Sequence, residues 1–190
     1  MIQNLWPTPF LKTKVEEETK TNLANYLLTK YDFFNAAGEL SNVNVLDDES
    51  DLIQDFNQKI ALPMFNDFLK ESLGKDISCW KDFRLKGWLT GTGKNYTSIP
   101  HNHKGASLSA VFYILCEEID VGGEIFFTDP RQNSNRGYDN QFSSWFEPLS
   151  FIPQSGDVVI FPSFLYHYVA TYRGNIRIAM PVDLFLYTNE

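Results

Sequence analysis

The hydrophobic period of this chain changes once, near Cys79, and that change constrains its fold more than any other feature. Before it, apolar residues recur at helical spacing. Leu23, Tyr26, Leu27 and Leu28 form one stripe, behind a Thr13-Lys14-Val15-Glu16 run with capping-box spacing. Leu52, Ile53, Phe56 and Ile60 form another, opening near Asp48, and Met64, Phe65, Phe68 and Leu69 continue it until Gly74. Pro63 should kink or divide this second helix. After Cys79 the segments are short and rich in β-branched and aromatic residues: 80–89, 107–116, 123–128, 157–161, 165–171 and 175–186. Turn residues punctuate them, at Gly91-Thr92-Gly93, Gly122-Gly123, Pro153 to Gly156 and Arg173-Gly174. Strands this short and this regularly spaced point to a mainly β, sandwich or barrel core, with helices in front giving an α+β chain.

The length of 190 residues suits one domain, 1–190, in which 1–78 is a helical support and 79–190 the core. Lys+Arg number 16 against 24 Asp+Glu, a formal net charge of −8. Such a balance disfavours a nucleic-acid partner, since affinity for phosphate backbones comes largely from Lys and Arg. Nothing approaches the roughly 18 apolar residues of a membrane span, and Met1 to Phe10 has no basic, signal-like start, so a cytoplasmic protein is expected. Cys79 and Cys116 fit no metal or redox spacing, and their apolar neighbours suggest two buried thiols. The segment 131–144 is the long polar insertion among the strands, a candidate lid with Arg136, Tyr138 and Trp145 close by.

Only three histidines are present, and their positions carry the functional argument. His101 and His103 are two residues apart, so in an extended chain both point to one side. With His167 they have the spacing of a His-rich site for a first-row transition metal with open positions. Arg177 follows His167 across the Arg173-Gly174 turn. Strand parity puts Asn175, Arg177 and Ala179 on one face and Ile176, Ile178 and Met180 on the other, so Arg177 should share a cavity with His167. A guanidinium there suits a carboxylate ligand, or a structural ion pair with Glu124 or Asp129. Arg173 is the weaker candidate for the same task because it sits at the turn.

The segments PHNHKGASLSAVFYIL (100–115), GGEIFFTDPR (122–131) and IPQSGDVVIFPSFLYHYV (152–169), followed by Arg177-Ile178, together resemble the 2-oxoglutarate/Fe(II)-dependent oxygenase superfamily. The likeness is strongest to a branch of small proteins, often bacterial or phage-borne. It implies a double-stranded β-helix (jelly roll, cupin-like) with flanking N-terminal helices, and Fe(II) and 2-oxoglutarate as cofactor and co-substrate. It further implies that His167 is the distal iron ligand and that Arg177 holds the distal carboxylate of 2-oxoglutarate. Tyr113, on the parity of Ser109 and Val111, is either a hydrogen-bond donor beside that carboxylate or a core tyrosine. The expected activity is that of a dioxygenase, a hydroxylase that converts 2-oxoglutarate to succinate and CO₂.

One position departs from the superfamily. Most members have H-x-D or H-x-E where this chain has His101-Asn102-His103. Either the metal set is His101, His103 and His167, which is favoured, or one of the pair is not a ligand. Trp88 and Tyr96 are candidate substrate contacts, and a peptide or small molecule is the expected substrate. Two rivals keep the fold: a metal-dependent cupin that does not use 2-oxoglutarate, and a non-catalytic jelly-roll binding protein. Against the first, this chain has Ala106, Ser107 and Leu108 where a cupin would have a glutamate after its HxH, and a cupin has no use for Arg177.

Overall fold

Two antiparallel sheets face each other in the computed structural model, which describes residues 7–33, 38–39, 44–93, 95–116, 121–131 and 147–188. The strands are β1 (Leu11–Lys14), β2 (Gly38–Glu39), β3 (Asp82–Gly87), β4 (Thr90–Thr92), β5 (Tyr96–His101), β6 (Leu108–Leu115), β7 (Ile125–Phe127), β8 (Leu149–Phe151), β9 (Asp157–Pro162), β10 (His167–Tyr172) and β11 (Arg177–Tyr187). The larger sheet runs β1-β9-β6-β11-β4-β2, with β3 pairing the far half of β11; the smaller runs β5-β10-β7-β8. Strands β4 to β11 shuttle between the two sheets and close a jelly roll, the mainly β fold expected. Strand β11 alone feeds three neighbours: its first residues pair β4, its last pair β3, and its other edge pairs β6.

The helical front covers one face of the larger sheet. Helix α1 (Glu17–Lys30) buries Leu23 and Leu27, and α2 (Asp51–Phe56) buries Ile53 and Phe56. A π-helical turn over Asn57–Ala61 leads into α3 (Leu62–Leu73), which ends on Gly74 at φ 66. Pro63 lacks the N–H that an α-turn would use; instead of breaking the helix, it is taken up by the wider π-turn just before it. The apolar residues of α1–α3 join Ala110, Phe112, Ile114, Val158, Ile160, Ile178, Met180, Val182 and Leu184 in one cluster. The opposite parity, with Val111, Tyr113, Val159, Phe161 and Ala179, faces the smaller sheet in a second cluster.

Two local expectations are corrected. Thr13 does not cap α1: Leu11–Lys14 pairs with β9 as an edge strand, Thr13 opposite Val158, and Glu16 precedes the helix without a side-chain cap. Backbone pairing to an open sheet edge satisfies more groups there than one cap would. Cys79 is exposed and only Cys116 is buried, both as free thiols. Burial pushes the Cys116 thiol up to about 12, so it stays protonated.

Candidate metal centre

The three histidines meet at one end of the space between the sheets. His101 ends β5, His167 opens β10, and the two are direct cross-strand partners. Strand β5 carries a bulge: His167 pairs His101 and Val169 pairs Ser98, so two residues on one strand face three on the other. The extra residue lies in Ile99-Pro100, on an edge strand where proline costs no ladder bond. The bulge resets parity, so that Ser98 and His101, three apart, both line the same cavity. His103 lies just past the strand in a turn, its backbone N–H donating 3.1 Å to the Ser163 carbonyl. The rings of His101 and His103 stack 5.7 Å apart, and His167 sits 4.4 Å and 5.1 Å from them by ring centroids.

Each ring is oriented from its outer nitrogen. Nδ1–H of His101 donates to the Ile99 carbonyl at 2.8 Å, that of His103 to Asp183 Oδ1 at 2.6 Å, and that of His167 to the Leu165 carbonyl at 3.1 Å. All three acceptors are oxygens, so each Nδ1 carries the hydrogen and Nε2 is the nitrogen that each ring has left to offer. One ligand nitrogen from each ring lies within 4.8 Å of the others. Burial lowers the His167 pKa to about 3, with the neighbouring imidazoles pushing the same way against the Leu165 hydrogen bond, so this ring is neutral at ordinary pH. Three convergent imidazoles, oriented from behind, fit a divalent transition metal.

A cavity of about 100 Å³ extends from these rings. Trp88, Tyr96, Val111, Tyr113, Val169 and Arg177 line it, among others. Arg177 is 4% exposed, its Nη1 donates 2.7 Å to the Gly123 carbonyl, and its guanidinium lies 5.1 Å from the Tyr172 ring. Its Nε is buried without a hydrogen-bond partner among the described residues. A buried guanidinium with an unpartnered Nε, on a residue that lines a small cavity, fits an anionic ligand. Gly123 makes the approach possible: at φ 76, a Cβ there would lie 2.7 Å from Arg177 Nη1. Tyr113 is 3% exposed, and burial pushes its pKa up despite the opposing pull of Arg177, so its hydroxyl remains a donor.

The sequence-derived candidates therefore come together. His101, His103, His167, Arg177, Tyr113, Trp88 and Tyr96 all line the one cavity. The Arg177 ion pair with Glu124 or Asp129 is not formed; its described partner is a backbone carbonyl. Arg173 is exposed and does not line the cavity. Asp183 was not singled out by sequence, although Arg177, Ala179, Pro181 and Asp183 share one strand parity and could have led to it. The candidate lid, beyond Arg131, lies outside the described residues, as do Arg136, Tyr138 and Trp145.

A jelly roll with three clustered imidazoles, two buried and one exposed, at the end of a small, arginine-bearing cavity defines a class of metal-dependent protein. Residues 86–183, just over half of the chain, match the family described as "Putative 2OG-Fe(II) oxygenase". The chain belongs to this 2OG-Fe(II) oxygenase family, whose cofactor and co-substrate are Fe(II) and 2-oxoglutarate. Solved structures share the fold. A prolyl-4-hydroxylase from Pseudomonas putida is 12% identical with a TM-score of 0.63, over 96% of this chain and 89% of that one. A prolyl hydroxylase from Trichoplax adhaerens, in complex with a hypoxia inducible factor peptide fragment, is 11% identical with a TM-score of 0.65, over 93% and 83%. HygX from Streptomyces hygroscopicus, with nickel, 2-oxoglutarate and hygromycin B bound, is 12% identical with a TM-score of 0.61, over 94% and 83%. No curated protein sequence matches the chain. Among the described residues no helix is long and apolar enough to cross a membrane.

Proposed function

We propose that this oxygenase is a hydroxylase, with His101, His103 and His167 holding the iron and Arg177 holding the distal carboxylate of 2-oxoglutarate. The carrying observation is the convergence of three imidazole nitrogens at a cavity also lined by Arg177, whose buried Nε has no partner among the described residues. The overall reaction would be 2-oxoglutarate + O₂ + R–H → succinate + CO₂ + R–OH. When bound, Fe(II) supplies O₂ activation and the oxidative decarboxylation. The chain supplies the rest. Arg177 would pair with a carboxylate through a fork already fixed by Gly123 and stacked against Tyr172. The protonated Tyr113 hydroxyl would donate to the same anion. Trp88, 5.4 Å from the His103 ring, and Val111, Ile125 and Val169 keep the small cavity dry enough to strengthen those charges.

A peptide or small molecule is the proposed substrate. A larger cavity of about 460 Å³, lined by Phe10, Phe127, Arg131, Leu149 and Leu165 among others, adjoins the metal centre through Phe127, whose ring is 5.5 Å from His167. The proposal extends to the whole chain acting as one folding unit, 1–190.

The test is an anaerobic titration of the Fe(II)-loaded protein with 2-oxoglutarate, followed in the visible. A new charge-transfer band is expected in the native protein and none in His167→Ala. Arg177→Ala should raise the apparent Kd about tenfold or more, the scale of a lost charge-assisted hydrogen bond. A native protein that neither binds 2-oxoglutarate nor changes its spectrum overturns the reading.

A further inference from the structure

We infer that Asp183 is the carboxylate of this metal centre, acting on the metal from behind His103 and not as a ligand itself. The inference rests on the reading that His101, His103 and His167 hold the metal. Asp183 Oδ1 accepts the Nδ1–H of His103 at 2.6 Å and the Ser109 hydroxyl at 2.7 Å. It stands on the side of the ring remote from Nε2 and outside the group of three ligand nitrogens. Asp183 is 6% exposed and His103 8%. Among the described residues no Lys or Arg pairs with Asp183; its strand neighbour Lys86 is exposed and makes no such bridge.

A buried carboxylate held only by a hydroxyl and an imidazole is costly unless positive charge lies nearby. A divalent ion on the far nitrogen of that imidazole would provide it. Charge supports the same assignment. Two histidines and a carboxylate around a divalent ion leave a net +1, whereas three neutral histidines leave +2. Adding Asp183 restores +1, with the negative charge one residue further from the metal. The carboxylate also fixes the His103 tautomer and makes its Nε2 a stronger donor. Where the superfamily usually has an acidic ligand this chain has His103, and an acid touches that residue, supplied by β11 through the Asp183–Ser109 pairing with β6.

Asp183 is a positioning residue, and its test reads metal affinity directly. Metal-free native protein, His167→Ala, Asp183→Asn, His103→Asp and the His103→Asp/Asp183→Asn double variant are titrated with Co(II) against a competing chelator, with melting temperature recorded for each. Asp183→Asn should weaken Co(II) binding 10–100-fold. In the His103→Asp background, where a carboxylate already touches the metal, the same change should cost nothing. Native-like binding by folded Asp183→Asn, or an equal loss in both backgrounds, overturns the inference. Because Asp183→Asn could unfold the protein, imidazole ¹⁵N spectra of native, Zn(II)-loaded protein provide an independent measure. His103 protonated at Nδ1 is expected, and protonation at Nε2 overturns the inference. Failure of the native protein to bind Co(II), or native-like binding by His167→Ala, would sink the metal-centre reading and the role of Asp183 with it. Loss in His167→Ala with no loss in Asp183→Asn would remove Asp183 alone.

Discussion

Burial keeps the His167 ring neutral, the form a metal ligand needs, and the same burial couples the protein's stability to pH. Its pKa is about 3 in the folded state against an ordinary 6.5. The unfolded chain therefore takes up a proton at this site before the folded one does. The contribution to stability is complete above pH 6.5 and is lost as pH falls toward 3, on the order of a few kcal/mol over the window. Asp48 acts in the same direction but lower. Burial would raise its carboxyl, yet hydrogen bonds from Lys30, Ser50 and Tyr26 outweigh this and hold it below the usual range, so its contribution is complete above about pH 4 and is lost only below that. Urea midpoints of the metal-free protein should fall between pH 6.5 and 4, and His167→Gln should flatten that slope. A slope unchanged in the variant would mean His167 is not held neutral. Most residues of the candidate site could be picked out in the sequence, because imidazoles and a lone inward guanidinium are rare and parity aims them. Asp183 could not, for acidic residues are common in this chain and only its contact with His103 distinguishes it.

Elements were legible in proportion to their length and regularity. The eight-residue β6 and the 11-residue β11 follow from their length and their β-branched and aromatic content, and most of their alternate residues fall to opposite clusters. The three-residue β4 and β8 are too short to show a period. Strand β5 hides its own, since the bulge at Ile99-Pro100 breaks the alternation that aims His101 inward. Leu11–Lys14 reads as a helix start because the chain cannot reveal that β9 offers it an open edge. The helices follow from their stripes, and what those stripes cover is now specific. Phe56 of α2 meets Phe112 of β6 edge-on at 4.9 Å, on the face opposite Val111 and Tyr113. Phe56→Ala should cost about 3–5 kcal/mol in urea unfolding. The 2-oxoglutarate affinity of the folded fraction should stay as in the native protein, since the cavity lies on the other face. A matching loss of affinity would show that the two faces of β6 are coupled.

At the scale of the whole molecule, the two clusters decide whether the jelly roll can stand alone. The larger sheet is apolar on both faces: toward the smaller sheet it presents Val111, Tyr113, Val159 and Phe161, and toward the helices Ala110, Phe112, Ile114, Val158, Ile160, Met180 and Val182. Residues 1–78 supply the second covering. They also supply β1 and β2, the outer strands at the two ends of that sheet. A chain of residues 79–190 would keep every metal-site residue and still expose a sheet face far larger than the few hundred Å² that soluble monomers tolerate. It should therefore lack a cooperative unfolding transition, bind a hydrophobic dye strongly, and hold Co(II) no better than an unfolded peptide. The full chain should unfold in one step by both fluorescence and circular dichroism. A truncated protein that folds cooperatively and retains Co(II) would make the helical front a separate unit, and the positioning of His101, His103 and His167 a property of the jelly roll alone. The opposite result would tie the metal centre to the helices through the sheet they share, because β6 and β11 carry Ser109 and Asp183 on one face and the helix-packing residues on the other.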